Sequence, residues 1–592
     1  MQPVDYTTLM AACAELRGTW LPARLEQVVQ RDRHTIALCL RTLDRRGWLT
    51  LSWHPQAARV CIDPPPPKGP DTFTFSQQLR HQLSGLALVA IEAIAPWERV
   101  LDFQFARRPG DPALWHLYVE IMGKYSNVVL TNADNQIVTV AHQVSAQQSS
   151  VRPVLTGQPY EFPPGLTESM PSLEEPLDRW RERVALIPGP LKRNLLKAYR
   201  GLSSALVLRL IAAAGLDPER QTDSLSLAEW ERLGDRWRAW LTALQTEQFS
   251  PGWLSDGYTV LGWDDALPAE SVQALLSRYY TDELNRQVFS QLRHQLNQRL
   301  THLLNKLYAK AEDFQTRLAQ SNEADGYRAQ ADLLMAHLHE WQPGLKSIEL
   351  ADFETGEPVN IALDPEKNAV QNAQALYKRH QKLRRSRQAL EPLLAEVQAE
   401  ITYLEQVQVA VLQVDTYTMP DDLDALEDIR NELIQQRYLD DPDQRYRGTA
   451  ATNMNFRRYT TPSGFEVLIG RNNHQNDQLI SRTATDYDLW FHSQEIPGSH
   501  VLLRLPAGAV PEDADLQFTA DLAAYYSRAA QSEQVPVVYT EPRHVYKPKG
   551  ARPGTVIYKQ ERVIWGQPQR ARRWLESAAG SAPVSTPEPV AP

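Results

Sequence analysis

The sequence predicts an α+β chain of several domains: a β-rich amino-terminal domain, a helical region built on a helix, glycine turn, helix unit, a long antiparallel coiled coil, and a small β-rich carboxy-terminal module. Three observations carry this reading. At 592 residues the chain exceeds what one hydrophobic core organises, and length alone suggests about four domains. Strand-like runs crowd the first 140 residues and return after Gly464. Between them, leucines recur at intervals of three, four and seven over two long stretches, the spacing of a helix seam. The boundaries follow as residues 1–170, 171–265, 266–440 and 441–575, with a disordered tail over 576–592.

In the first domain, Asp5 is placed to cap a helix whose Leu9, Cys13 and Leu16 share a face. Trp20 to Val29, Thr35 to Leu43 and Trp48 to Ile62 read as strands, the last two joined by a hairpin around Asp44 to Gly47. PPPPKGP, Pro64 to Pro70, is a stiff connector, and a helix follows over Phe75 to Leu86. ALVAIEAIAPWERVLDFQF predicts two strands meeting near Pro96, with Glu98 and Arg99 opening the second, where a structural ion pair is one use for them. LYVEIMGKYSNVVLTNADNQIVTVAH predicts further hairpins that turn at Ser126-Asn127 and near Asn135.

From Asp178 to Asp217 the pattern is helical, with a break at Gly201 and Ser203 as a cap for the next helix. Leu296, Leu300, Leu303, Leu307, Phe314 and Leu318 form one coiled-coil seam, and Leu383, Leu390, Leu394, Val397, Ile401, Leu404 and Val411 form its returning partner. Pro392 should kink the second arm unless it lies near a helix start. A short helix and a hairpin belong between the arms. The acidic stretch from Asp421 to Asp443 reads as a link. Beyond it, Phe465, Val467 and Ile469 alternate as a strand, GRNNHQND as a polar loop, Leu489 to His492 as a second strand, IPGSH as a tight turn and Val501 to Leu503 as a third.

A net charge of −10 and a pI of about 5.8 argue against indiscriminate coating of nucleic acid, which rests on neutralised phosphates. Charge is nevertheless uneven. From Tyr539 to Trp574 nine Lys or Arg face two acids, a local +7, and Lys378, Arg379, Lys382, Arg384, Arg385 and Arg387 fall within ten residues. Each strip reads either as an RNA-facing surface or as a solvated face. Cys13, Cys39 and Cys61 lack CxxC spacing and read as reduced thiols. The absence of long apolar runs and of a basic-apolar start predicts a cytoplasmic protein with no membrane partner. His474, His492 and His500 lack the paired spacing of a zinc site, so no metal or cofactor is expected. No P-loop, GxGxxG or nucleophile elbow is present, so no catalytic residue is assigned.

Four stretches in order, GRNNHQND, DLWFHSQEIPGSHV, ADLAAYY and VYKPKGARPGTVIY, resemble the carboxy-terminal module of the NFACT family. LYVEIMGKYSNVVL with SVRPVLTGQPYEFPP is similar to the family's amino-terminal domain, whose fold resembles that of formamidopyrimidine-DNA glycosylases without its chemistry following. The unit at Gly201 resembles the family's helix-hairpin-helix, and LDPEKNAVQNAQALYKRHQKLRRSR its coiled coil. The resemblance implies a ribosome-associated quality control factor that acts as a monomer on the large ribosomal subunit carrying stalled peptidyl-tRNA. Such a factor recruits alanyl-tRNA for template-free alanine tailing and leaves peptidyl transfer to the ribosome.

The family's tRNA-recruiting Asp-Arg pair maps onto Glu98-Arg99, one methylene longer on the acid, and an acidic residue near the start maps onto Asp5. Glu120 and Lys124 join the same expected tRNA surface, where Lys124-Tyr125 stands for a frequent Arg-His. RNA or ribosome contacts are expected at Lys378, Arg379, Lys382, Arg384 and Arg385 in the arms. In the module they are expected at Arg471, Asn472, Asp477, His492, His500, Lys547, Lys549 and Arg552. Read as residues alone, the module's polar groups serve equally as an internal hydrogen-bond network. Two other functions stay open: an RNA-processing enzyme using His492, His500 and Asp477, and an adhesin or scaffold.

Overall fold

The computed structural model describes residues 1–149, 152–165, 168–263, 266–353, 355–440 and 455–581, in two units, Met1–Leu284 and Asn285–Pro592. The first opens with α1 (Tyr6–Trp20), capped by Asp5, whose carboxylate accepts from the Thr8 N–H at 2.8 Å. Trp20, expected to start a strand, ends this helix instead. Its burial continues the stripe of Leu9, Ala12, Cys13 and Leu16, and one buried helical face outweighs its strand preference.

Nine strands then form one antiparallel sheet: β1 (Ala23–Asp32), β2 (Thr35–Arg41), β3 (Arg46–Ser52), β4 (Arg59–Asp63), β5 (Ala87–Ala93), β6 (Val100–Ala106), β7 (Trp115–Glu120), β8 (Asn127–Asn132) and β9 (Ile137–Val140). Their order is β4-β3-β2-β1-β5-β6-β7-β8-β9. The run from Trp48 to Ile62 is two strands, broken by a turn in which the Ala57 N–H donates to the His54 carbonyl. α2 (Thr74–Leu83) and α1 pack into the same apolar core as the sheet. Between β7 and β8 the turn is a 3-10 turn over Gly123–Tyr125, earlier than the expected Ser126-Asn127. Gly123 takes a φ of 58° there, and the Ser126 hydroxyl accepts from the Met122 N–H.

Helices α3 (Leu177–Ala185), α4 (Leu191–Ala198), α5 (Ser204–Ala213) and α6 (Leu227–Thr246) surround buried Trp180, Trp230, Trp237 and Trp240. The break between α4 and α5 falls at Gly201, and the Ser203 side chain caps α5 by accepting from the Leu206 N–H at 3.0 Å. A three-stranded sheet of β10 (Gly252–Leu254), β11 (Gly257–Thr259) and β12 (Leu267–Pro268) precedes α7 (Val272–Ser321), which continues into the second unit.

In the second unit α7 and α9 (Ala369–Gln413) run antiparallel, with α8 (Ala324–Ala336) and the hairpin β13 (Ser347–Ala351) and β14 (Pro358–Ala362) between them. Leu296, Leu300 and Leu304 pack with Leu404, Val407 and Val411. Leu304 occupies the core more fully than Leu303, a one-residue drift of the kind that a 3.6-residue helix shows against a strict heptad. Helix α9 is continuous through Pro392, which is exposed. The acidic stretch expected as a link is instead mostly α10 (Pro420–Gln435). Its Ala425, Leu426, Ile429 and Leu433 form a buried stripe, while Asp422 accepts from the Met419 N–H at its start, so the acids serve the helix dipole rather than solvating a linker.

The carboxy-terminal part is a six-stranded antiparallel sheet of β15 (Arg457–Thr460), β16 (Glu466–Ile469), β17 (Leu489–Ser493), β18 (Val501–Leu503), β19 (Val535–Thr540) and β22 (Arg562–Gly566), ordered β15-β16-β18-β17-β19-β22. α12 (Asp513–Tyr525) and α13 (Pro568–Ser581) cover one face. The other meets the ribbon of β20 (Val545–Tyr546) and β21 (Ile557–Tyr558), and beside it lies α11 (Asn473–Gln478). The GRNNHQND stretch, expected as a loop, thus supplies a helix capped by Asn472, which accepts from the Gln475 N–H at 2.9 Å. The tail expected to be disordered from residue 576 is helical to Ser581, where α13 ends; residues 582–592 and the stretch 441–454 lie outside the described residues. Among the described residues no helix is long and apolar enough to cross a membrane.

Leu404, fully buried in the seam, gives a local test of the arms. Leu404→Ala should cost about 2–5 kcal/mol, read as faster hydrogen exchange over 285–321 and 369–413 with protection of 1–284 unchanged.

Candidate RNA interface

The first cluster assembles where the turn between β5 and β6 meets the start of α1 and the α4–α5 break. Arg99, half-buried, donates to the Val4 carbonyl at 3.4 Å. Burial pulls its guanidinium below the usual range, and the Asp5 and Glu98 carboxylates partly offset this. Asp5 is itself committed: one oxygen accepts from the Thr8 N–H and the other from the Ser203 hydroxyl at 2.6 Å. Its role is therefore to position, joining the amino terminus of α1 to that of α5. Glu98 lies 3.9 Å from Arg200, and its Oε1 is buried without a hydrogen-bond partner among the described residues. A buried carboxylate oxygen lacking a donor is costly unless a ligand satisfies it. Ahead of this pair, Trp97 adopts φ 67°, rare for a bulky side chain, and its ring packs within 4.8 Å of Tyr6.

Glu120, expected on the tRNA surface, is corrected to an interior group. It is 1% exposed, and both its oxygens accept from Arg152 Nη2, at 2.8 and 2.7 Å, while Tyr160 donates to it at 2.7 Å. Lys124 is exposed and lies 5.0 Å over the Tyr125 ring, which is 71% exposed, so a cation and a ring do stand together at this turn.

On α9, Lys378, Lys382, Arg384 and Arg385 are exposed with no ion-pair partner among the described residues. Arg379 lies 4.4 Å over the Tyr327 ring and Arg387 pairs with Glu391 at 2.8 Å. This is a surface of largely uncommitted cations.

The module differs. Arg471 pairs with Asp422 of α10 at 3.1 Å, both about nine-tenths buried. Asn472 is buried as a cap. Asp477 accepts from Lys547 at 2.5 Å and from the Gly554 N–H at 3.1 Å. Arg552 stacks over Tyr403 at 5.1 Å. His500 is 2% exposed and stands edge-on to the His492 ring at 5.3 Å. Burial lowers the His492 pKa to about 4 and that of His500 well below its usual value, so both are neutral at physiological pH and neither offers a cation to phosphate. The expectation that Asn472 and His500 face RNA is corrected to the internal network that the residues alone also permitted. Lys549 stays exposed.

Several residues that shape these sites were not singled out: Trp97, Arg152, Glu432 and Asp422. Glu432, 5% exposed, accepts from the Tyr403 hydroxyl at 2.7 Å and from Asn473 at 3.1 Å. It lay in a stretch read as a link, where only the apolar spacing of Leu426, Ile429 and Leu433 could have shown that one face is buried.

Residues 5–451 match the family model for NFACT N-terminal and middle domains, and residues 455–560 match that for the NFACT protein RNA binding domain. The chain is 29% identical over 562 residues to the Rqc2 homolog RqcH of Bacillus subtilis, spanning 94% of this chain and 96% of that protein. Identity is 30% over 567 residues to the Rqc2 homolog RqcH of Streptococcus suis, spanning 93% and 95%. Among solved structures, the C-terminal part of the fibronectin/fibrinogen-binding protein from Streptococcus suis aligns with 29% identity and a TM-score of 0.36, over 47% of this chain and 95% of that one.

Burial raises the Glu432 pKa from 4.5 to about 7. A carboxyl whose folded pKa is raised contributes stability fully present below its unfolded pKa and lost as pH rises through the folded one. Glu432→Gln, which removes the titration, should therefore gain stability over the native protein between pH 5 and pH 8 by about 2–3 kcal/mol, measured as the difference in urea unfolding of the second unit at the two pH values. A difference that does not change with pH would contradict this.

Proposed function

The chain belongs to the NFACT family, and we propose that it is a non-catalytic RNA-binding factor of ribosome-associated quality control in the cytoplasm. On this reading it binds the large ribosomal subunit holding stalled peptidyl-tRNA, acts there as a monomer, and recruits alanyl-tRNA to support template-free tailing with alanine. The observation that carries the reading is Arg99, a half-desolvated cation at a turn, bonded to the Val4 carbonyl and favoured electrostatically by the Asp5 and Glu98 carboxylates, and poised to exchange water for an RNA phosphate or base edge. Glu98 Oε1, buried 3.9 Å from Arg200 with no hydrogen-bond partner among the described residues, is the acceptor that this reading assigns to a donor on a base. The division into an amino-terminal domain like that of formamidopyrimidine-DNA glycosylases, a helix-hairpin-helix region, coiled-coil arms and an RNA-binding module belongs to the same proposal. In it the exposed cations of α9 grip ribosomal RNA. We prefer this reading to the enzyme alternative because His500 is buried and Asp477 already accepts from Lys547 and the Gly554 N–H.

Arg99→Ala should remove tRNA from the purified protein, at a cost of about 1–3 kcal/mol in affinity, while its sedimentation with large subunits persists; retained tRNA would overturn the role of Arg99. Replacing Lys378, Lys382, Arg384 and Arg385 together by Ala should flatten the logarithmic salt dependence of ribosome binding by about 3 units, at roughly 0.7–0.9 per phosphate released. An unchanged slope would return this strip to solvent.

A further inference from the structure

A cavity of about 500 Å³ lies in the second unit, where the end of α9 and the start of α10 meet β15, the end of α12 and α13. We infer that it binds a free nucleotide, with the phosphate on Arg457 and Arg572, the sugar hydroxyls on Asp415 and the base against Tyr525. This site is independent of the tRNA reading, whose Arg99 belongs to the first unit.

Three observations carry the assignment. The first is a pair of donors without acceptors. Gln413 Oε1 accepts from the Ser499 hydroxyl at 3.0 Å, which fixes Nε2 as the donor end of the amide, and Nε2 is buried with no partner among the described residues. Arg457 donates through Nη2 to the Gln413 carbonyl at 3.0 Å and lies 4.7 Å over the Tyr526 ring, while its Nη1 is likewise buried without a partner among the described residues. Buried donors of this kind are costly, and the oxygens of a bound anion relieve that cost. The second is charge. Arg528 pairs with Glu405, and Asp422 with Arg471, but Arg572, half-buried on α13, has no ion pair or hydrogen bond among the described residues. Arg457 and Arg572 therefore stand against the single carboxylate of Asp415, an excess that selects an anion, and the planar guanidinium fork matches phosphate oxygens. The third is that one ring gathers these groups. Tyr525 is half-buried, and the charges of Arg572, Asp415 and Arg457 all act on its hydroxyl. Leu412, on the same wall, is 52% exposed, so a planar base finds both an aromatic and an aliphatic surface. Among the described residues Asp415 accepts only from the Thr416 hydroxyl, at 3.3 Å, which leaves it an oxygen for a sugar diol. The volume suits one nucleotide. Inorganic phosphate would leave Tyr525 and Asp415 unused, and an apolar ligand would leave both guanidinium groups unpaired.

The test titrates the full chain by calorimetry with ADP and GDP, and in parallel with adenosine, inorganic phosphate and a short RNA oligomer. Saturable binding of at least one of the two nucleotides is expected, with adenosine and inorganic phosphate each weaker by about tenfold or more. Arg572→Gln should weaken nucleotide binding about tenfold; because Arg572 has no partner among the described residues, this variant keeps the fold, which circular dichroism checks. Asp415→Asn should erase the preference for the ribonucleotide over its deoxy form. Arg99→Ala should bind nucleotide as the native chain does, which separates this cavity from the tRNA site. Four results would each overturn the assignment while leaving the tRNA reading intact: no saturable binding of ADP or GDP, inorganic phosphate binding as tightly as the nucleotides, binding of the RNA oligomer alone, or native nucleotide affinity in both Arg572→Gln and Asp415→Asn.

Discussion

The Asp5 carboxylate is the contact on which the candidate tRNA site depends. Its two oxygens accept from the Thr8 amide and the Ser203 hydroxyl, so a single side chain caps α1 and anchors the residue that caps α5. Near this double cap the Arg99 guanidinium is held against the Val4 carbonyl, and the Trp97 ring is set between Gly201 and Tyr6. Capping interactions of this kind are each worth about 1 kcal/mol, but their shared acceptor means that losing it would release two helix ends and the electrostatic partner of Arg99 together. The acid expected as a recognition group is thus committed to positioning, and in the proposed reading recognition falls to Arg99 and Glu98.

The same division of labour holds in the second unit. Its densest polar motif, around GRNNHQND, was the obvious candidate for a surface, yet Asn473, Gln475 and Asn476 are buried and Asn473 donates to Glu432 of α10. Arg471 to Asp422 and Arg552 over Tyr403 extend this connection from the module to the arms. Buried polar groups of this kind need every partner in place, which explains their density without a ligand. Lys378, Lys382, Arg384 and Arg385 of α9 follow the opposite logic: they are exposed, of one sign and without an ion-pair partner among the described residues, an arrangement whose repulsion helical packing does not require.

Much of the fold was legible because periodicity reports burial. The cap at Asp5, the break at Gly201 with its Ser203 cap, the hairpin at Asp44 and both arms of the coiled coil follow from spacing and turn chemistry alone. What escaped was governed by long-range packing. Trp20 has a strand-former's side chain but completes a helical stripe; α10 is so acidic that its apolar face was overlooked; and Asn-rich α11 is stabilised by side-chain partners far away in sequence. The ion pair of Glu120 with Arg152 spans 32 residues, and the role of Trp97 depends on Gly201 and Tyr6, neither of which is near it in the chain. Family resemblance pointed to candidate segments, while which of their side chains are buried and which exposed required the geometry.

The most direct measurement of the central claim is ultraviolet crosslinking of the protein on large ribosomal subunits in cells, followed by sequencing of the attached RNA and mass spectrometry of the attached peptides. The account predicts tRNA joined to the peptide containing Trp97 to Arg99, and ribosomal RNA joined to the peptides spanning Lys378 to Arg387. Recovery of tRNA on the module's His492 to His500 segment, or of no tRNA at all, would contradict it.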